Sequence, residues 1–506
     1  MPVDPSTIVV PPERVRLMRD LPPRVERRYV LYWMIAARRL QGNFALDRAV
    51  QWACDLKKPL VIFEPLRAGY PWASDRLHKF VLEGMAENRR RAAGAQVVYY
   101  PYVEPRHGDG RGLLEAFAQD AAVVVTDDYP AFFLPRMVAA AAERIDVRME
   151  AVDGNGLFPM RSASQVFSTA YAFRRHLQRE LPRYLGDVPS LAPLTERPLP
   201  PAMRLPSEIT QPWPAATDAL LSASREVLAA LPIDHSVGPA AFTGGGAAAE
   251  HALERFLNQR LPRYADARNV PDDDVASGLS PYLHFGHLGA HQVFGAVTAS
   301  ENWDRSRLAA KGNGSREGWW GMSPAAEGFL DELITWREVG FNFCTHREDY
   351  DQYESLPEWA KASLAKHAGD SRTFIYSLEV FEQARTHDEL WNAAQRQLVR
   401  EGRMHNYLRM LWGKKILEWS DSPQSALATM IELNNKYAVD GRDPNSYTGI
   451  FWVLGRYDRP WAPERPIFGV IRYMSSDNTR RKVSVKEYLR RYAAHQERQS
   501  QLFADD

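Results

Sequence analysis

Between Tyr29 and Gly156 short apolar runs alternate with helical patterns. YVLYWM precedes NFALDRAVQWACDL, PLVIFEP precedes SDRLHKFVLEGMAENRRRA, AQVVYYP precedes GLLEAFAQ, AAVVVTD precedes FLPRMVAAAAERI, and VRMEAVDG closes the series. Runs that are apolar at successive positions, not at alternate ones, belong to strands covered on both faces, and the intervening helices supply the cover. The pattern predicts a Rossmann-like α/β domain, a doubly wound parallel sheet over residues 29–180, behind an N-terminal extension of residues 1–28. Sheets of this kind hold ligands at the carboxyl ends of their strands.

The next stretch has neither period. Nine prolines fall between Leu181 and Pro214, a density that sustains neither helix nor central strand, so residues 181–215 are predicted to be a linker. From Ala216 onward helical periodicity returns with many Trp and Tyr and almost no strand alternation, which predicts an all-α domain over 216–506 with a basic C-terminal tail. The segment SENWDRSRLAAKGNGSREGWWGMSP reads as an exposed loop within it.

Composition narrows the function classes. Of 506 residues, 45% are hydrophobic and 25% charged, the balance of a soluble globular protein with two or three cores. No apolar run approaches a membrane span, and MPVDPSTIVVPPERVRLMRD lacks a signal peptide's order, so a cytoplasmic protein is expected, or a nuclear or organellar one if the source has those compartments. Two cysteines, Cys54 and Cys344, exclude a disulfide framework or a cysteine zinc site. Basic and acidic residues balance at 63 each. The tail is locally basic: Arg472, Arg480, Arg481, Lys482, Lys486, Arg490 and Arg491 face only Asp477 and Glu487 between Ile471 and Arg491. That is either a phosphate-binding patch or a solvated helix face.

Several motifs carry no chemistry. GDGRGLL lacks dinucleotide-fingerprint spacing and reads as a surface turn; TGGGAAAEHALERFL is not followed by Gly-Lys-Ser/Thr and reads as helix initiation. His284, His287 and His291 share a helical face, but no Glu lies between them and Gly286 and Gly289 interrupt it, so packing is the expected role and no metal is expected. Polar and aromatic residues concentrate instead in the C-terminal half. FLDELITWREVGFNF puts Glu332 and Trp336 four apart on one helix face. In GRMHNYLRMLWGKKILEW, His405, Arg409, Trp412, Ile416 and Trp419 form one stripe, so a guanidinium shares a face with two indoles. Large aromatics fill large cores, but buried unpaired charge is costly, and a polar, delocalised ligand would resolve the conflict.

Five separated blocks, SGLSPYLHFG, FLDELITWRE, THDELWNAAQ, GRMHNYLRMLWGKKILEW and DGRDPNSYTGIFW, resemble the class II cyclobutane pyrimidine dimer photolyases of the photolyase and cryptochrome family. YVLYWMIAARRLQGNFAL and PWASDRLHKFVLEG resemble that group's antenna domain. The resemblance implies FAD, active in its reduced form, buried in the helical domain, and a deazaflavin or folate antenna in the α/β domain. It implies light-driven electron transfer to a dimer flipped out of DNA, because a stacked dimer cannot reach a buried flavin. Position by position it places Tyr264, Leu279 and Ser280 on the cofactor's phosphates and ribityl chain, an Arg409–Asp440 pair on the ring, and Asn434 near the ring's reactive nitrogen. Glu332 would bind the dimer's base edge, with Trp336 and Trp452 as apolar walls and Met410 in contact. Arg268, Asn269 and Arg472 would hold the DNA backbone. Trp391, Trp412 and Trp419 would form the electron-transfer chain, Trp419 being its solvent-facing end; Trp412 and Trp419 lie about 10 Å apart along a helix. Thr345, His346, Arg347, Asp477 and Asn478 depart from the group's pattern, away from these positions.

A monomeric repair enzyme acting on dimer-containing DNA, with no membrane partner, is therefore expected. The alternative on the same scaffold is a cryptochrome-like photoreceptor without repair activity. Glu332, Trp336, Trp452 and Arg268, and the short stretch beyond Arg491, favour repair. A structural or nucleic-acid-binding protein that has lost flavin is the remaining reading.

Overall fold

The computed structural model describes residues 10–494. Two compact units emerge. One runs to Gln165 and takes in Leu177–Glu254 and Leu279–Arg305; the other holds Val166–His176, Arg255–Gly278 and the described chain from Ser306 on. Among the described residues no helix is long and apolar enough to cross a membrane.

The first unit is built on six strands, β1 (Val15–Arg19), β2 (Tyr29–Trp33), β3 (Leu60–Leu66), β4 (Val97–Val103), β5 (Ala121–Asp127) and β6 (Met149–Val152), ordered β1-β6-β5-β2-β3-β4. The five strands expected from the apolar runs pair in parallel, Leu31 lying opposite both Val61 and Val124. Helices α1 (Phe44–Leu56), α2 (Asp75–Ala92), α3 (Leu113–Asp120) and α4 (Leu134–Arg144) alternate with them. Every residue of β2 is buried because the period-two alternation feeds two cores. Tyr29, Leu31 and Trp33 pack with Phe117 of α3, while Val30 and Tyr32 pack with Leu46 and Val50 of α1.

The predicted α/β sheet is present, and three details add to the sequence pattern. The sheet is not wholly parallel: β1, inside the stretch read as an extension, pairs antiparallel with β6, Val15 opposite Val152. Its sequence VRLMR is only partly buried, and charged side chains suit an edge strand while hiding its apolar pattern. Residues 181–215 do not hang free. Leu194 and Leu199 join the α1 core, Met203, Leu205, Ile209 and Trp213 join the α3 core, and Trp213 donates from Nε1 to the Asp109 carbonyl at 2.8 Å. The compact units also do not divide at 215/216, since Ala216, Leu221, Leu228 and Leu231 pack on Val81 and Met85 of α2.

The second unit is helical. It includes α5 (Pro324–Leu330), a π-helical turn over Asp331–Trp336, α6 (Arg337–His346), α7 (Glu389–Glu401), α8 (Asn406–Trp419), α9 (Pro423–Tyr437) and α10 (Pro444–Val453). Asp388 caps α7 by accepting from the Leu390 and Trp391 N–H groups, and Asp443 caps α10 at Asn445. The stretch from Gly402 to Trp419 is not one helix. Gly402 closes α7 at φ 71°, and α8 starts at Asn406, so His405 precedes its first turn. Helix α8 packs against α7, α9 and α10. Gly413 permits the approach: a Cβ there would lie 2.6 Å from Val453 Cγ2 and 3.1 Å from Met430 Sδ.

Candidate functional site

Glu332 and Trp336 lie four apart, as expected, but on the π-helical turn and not on a regular α-helix. The wider turn separates two adjacent carboxylates. Asp331 turns to Arg174, whose Nε and Nη2 donate to its two oxygens at 2.6 and 3.0 Å, both side chains 7% accessible. Glu332 instead has its Oε1 3.5 Å from Arg268 Nη1. Arg268 also donates to the Gly328 carbonyl at 3.1 Å and lies over the Tyr264 ring, 5.7 Å from its centroid. Burial pushes the Glu332 carboxyl up to about 7; the Asp331 charge adds to this and Arg268 opposes it. The Glu332 side chain still keeps 35% of its surface accessible, so it is held against protein on most sides and open on one. Trp336, at the end of the same turn, meets Trp452 of α10 with ring centroids 5.1 Å apart and planes tilted by 37°.

Arg268 thus stands next to Glu332. Asn269 beside it is exposed, as is Arg472, whose guanidinium lies 5.1 Å over the Trp461 ring. Tyr264 is buried against Phe256 and Phe329, and burial raises its phenol far above the ordinary value. Leu279 and Ser280 belong to the first unit; Leu279 is buried, and the exposed Ser280 opens the helix Ser280–His284.

The arginine in the tryptophan stripe is not a core residue. Arg409 keeps 24% of its side chain accessible, with Nη2 3.6 Å from Asp440 Oδ1. Met410 next to it is half-buried. Asn434, on α9, is 3% exposed. Its amide nitrogen donates to Ser446 Oγ at 2.8 Å and to Asn435 Oδ1 at 3.2 Å. Asn435 in turn donates to the Tyr447 hydroxyl at 3.2 Å and accepts from the Arg442 N–H at 2.9 Å. With both amide hydrogens engaged, the Asn434 side chain can offer an incoming ligand only its carbonyl oxygen. A cation, a partnered carboxylate and a neutral acceptor are the kinds of group that suit a delocalised ring able to change charge. Lys414, five residues beyond Arg409, is buried and donates to the Val453 carbonyl at the end of α10; burial pushes its amine down to about 7.

The three tryptophans are buried together. Trp391 Nε1 donates to the Trp412 carbonyl at 3.0 Å, and the Trp391 and Trp419 rings meet edge-on at 6.0 Å. Trp412 Nε1 donates to Gln395 Oε1 at 2.8 Å. Gln395 is fully buried and fixes the Trp412 indole; nothing in THDELWNAAQ separated it from an ordinary helix-surface Gln. Trp419 departs from expectation. It is 3% exposed, not solvent-facing, because Tyr376 and His387 pack on it at 5.7 and 4.9 Å. Ser446 and Arg174 were likewise missed, since partners 12 and 157 residues distant leave no local pattern.

His287 Nδ1 accepts from the Gly245 N–H at 2.9 Å, His284 Nδ1 meets the Tyr129 hydroxyl at 3.2 Å, and His291 stands edge-on to Phe44. These are packing and hydrogen-bonding roles. Burial pushes His287 down to about 3. The basic tail forms the short helices Ser476–Lys482 and Lys486–Arg491, on which Arg480, Arg481, Lys482, Lys486, Arg490 and Arg491 are all exposed.

No family model matches the chain. Curated relatives do. The chain is 35% identical to a deoxyribodipyrimidine photo-lyase of Methanothermobacter thermautotrophicus, covering 95% of this chain and 98% of the relative. It is 34% identical to one of Arabidopsis thaliana (96% and 93%) and 32% identical to one of Potorous tridactylus (95% and 84%). The fold is similar to that of a bacterial class III photolyase from Agrobacterium tumefaciens, with TM-score 0.65, 18% identity and coverage of 92% and 86%. It is also similar to that of a Synechocystis cryptochrome, with TM-score 0.62, 15% identity and coverage of 92% and 88%. The chain belongs to the photolyase/cryptochrome family, a family that generally binds FAD, and within it to the DNA-repair lyases named deoxyribodipyrimidine photo-lyase.

Proposed function

We propose that this enzyme is a class II photolyase that reverses cis-syn cyclobutane pyrimidine dimers in DNA under light, as a monomer in the compartment that holds the DNA. The observation that supports this most is the Glu332 carboxyl, pushed up to about 7 and standing 3.5 Å from Arg268 in the unit that also holds the Trp336–Trp452 pair. Bound reduced FAD supplies light absorption and the one electron that is lent to the dimer and returned. Within the helical unit, Arg409 with Asp440 and the Asn434 carbonyl would hold its ring, and Tyr264 would lie toward its phosphates and ribityl chain. A deazaflavin or folate antenna is assigned to the α/β unit, and catalysis to the helical unit.

The dimer must leave the base stack, and Trp336 and Trp452 receive it as apolar walls, with Met410 beside them. When the dimer carries an extra electron, its base carbonyls gain negative charge. A neutral Glu332 carboxyl donates a hydrogen bond to that edge and stabilises it; a carboxylate would repel it. Arg268 accommodates either state by holding Glu332 in place. Arg268, Asn269 and Arg472 hold phosphates of the DNA, which fixes position and not sequence. Trp391, Trp412 and Trp419 would pass electrons inward to restore the cofactor's reduced form; Trp391, which touches both of the others, is the middle of that series, and Gln395 holds Trp412 in one orientation.

Glu332→Ala tests the assignment. Repair yield per absorbed photon is expected to fall at least about tenfold, the loss of roughly 1.4 kcal/mol of stabilisation, while flavin content stays at the wild-type level. Unchanged yield, or loss of flavin, would remove Glu332 from the lesion. A photoreceptor without repair would bind flavin and respond to light yet leave dimers untouched in both proteins.

A further inference from the structure

Trp419 ends the tryptophan series but is 3% exposed, so an electron donor in solvent has almost no direct access to it. What adjoins it is a cavity of about 360 Å³, lined by Trp419 itself, Phe374, His387, Lys415, Arg465 and Tyr473. Its wall is aromatic and cationic together. Lys415 Nζ stands 5.3 Å from the Trp419 ring centroid and 5.8 Å from that of Tyr473, and the Arg465 guanidinium lies 5.0 Å over Tyr473. Glu418 also lines the cavity, but its carboxylate is paired to Lys415 at 2.6 Å, which leaves one net positive charge from these three groups. Phe374 is 40% exposed and stacks on His387 at 3.9 Å, presenting a flat apolar face that packing alone does not call for. The hydroxyl residues Ser371 and Thr373 line the same space.

Building on the electron-transfer role proposed for Trp391, Trp412 and Trp419, we propose that this cavity binds a small planar, polyhydroxylated anionic reductant of the enediolate class and that it refills Trp419 there. Aromatic faces match a flat ring, Lys415 and Arg465 match its single negative charge, and the two hydroxyls match its own. One electron passes from the bound monoanion to the oxidised Trp419 indole, restoring the neutral side chain. The donor becomes a radical that loses one hydroxyl proton to water, and no bond forms between protein and donor. Oxidised Trp419 adds a positive charge to the cavity and so tightens the anion, and the transfer removes that attraction.

Ascorbate is the probe, and Arg465, which is exposed and outside the machinery described above, is the position to change. In equilibrium dialysis against the dark holoenzyme, wild type is expected to bind one ascorbate, Arg465→Glu to bind it about tenfold more weakly or worse, and Arg465→Lys to recover most of the affinity. After a flash, the Trp radical of wild type should decay at a rate that saturates with ascorbate. In Arg465→Glu the rate should stay linear in ascorbate and about tenfold slower, while decay with uncharged hydroquinone is the same in both. No binding, a linear dependence in wild type, or equal slowing with both donors would overturn the site. Absence of any flash-induced Trp radical in wild type would overturn the electron-transfer role itself, and the site with it.

Discussion

At Glu332 the carboxyl sits near neutrality because burial disfavours its charge. If the neutral form binds the dimer, repair yield falls as pH rises through about 7, and Glu332→Gln, which keeps a donor without titrating, flattens that profile between pH 6 and 8. A profile unchanged by the substitution would place the titrating group elsewhere. The same shift acts on stability. The folded protein holds the proton where the unfolded chain, with an ordinary value of 4.5, has released it. The stability this gives is complete below 4.5 and is lost as pH climbs to about 7. Lys414 acts with the opposite sign. Its amine is held down at about 7 against an ordinary 10.5, so the folded state gains stability as pH rises from 7 toward 10.5 and gives it up as pH falls back. Lys414→Met should remove that rise, which denaturant titrations at pH 6.5 and 9 would show. The spacing of Glu332 and Trp336 was legible from the sequence, because four residues return to one helix face. Arg268 as the neighbour of Glu332 was not, because 64 residues separate them and only tertiary packing closes the gap.

Elements were legible where burial is two-sided or amphipathic and illegible where function or an edge breaks the pattern. The five parallel strands announced themselves as apolar runs; β1 did not, since an edge strand carries Arg16 and Arg19. The π-helical turn at Asp331–Trp336 has no composition of its own. It is stabilised by the buried Arg174–Asp331 pair, and Arg174→Met should destabilise the second unit by about 3–5 kcal/mol, the usual penalty of leaving one buried charge alone. Thermal unfolding would measure it, and a change under about 1 kcal/mol would show that Asp331 finds water or Arg316 instead. Because Arg174 also favours ionised Glu332, the surviving folded variant should lose repair at a higher pH than wild type. Gly413 sets how near α8 lies to α10. Gly413→Ala must push Val453 or Met430 aside and should cost about 1–3 kcal/mol by overpacking, while raising repair sensitivity to temperature through Trp452 on the displaced helix.

For the whole molecule, the two-part character of the chain was legible in the change from strand-helix alternation to helix alone, but the compact units divide elsewhere. The proline-rich segment looked like a tether because proline excludes regular structure, yet irregular chain can still bury Leu199, Ile209 and Trp213 against a sheet. The functional claim at this scale separates two uses of electrons. Trp412→Phe should stop photoreduction of the oxidised cofactor while leaving repair by pre-reduced enzyme within about twofold, since only the first uses the buried indole path; equal loss of both would remove the tryptophans from electron transfer. The most direct measurement is simpler. Purified protein with reduced FAD is mixed with a duplex carrying one cis-syn thymine dimer, and absorbance in the thymine band is followed in the dark and under blue light. Recovery under light alone, with the two adjacent thymines of the damaged strand restored intact, is the predicted result; flavin bound, reduced and illuminated with no recovery would contradict the account.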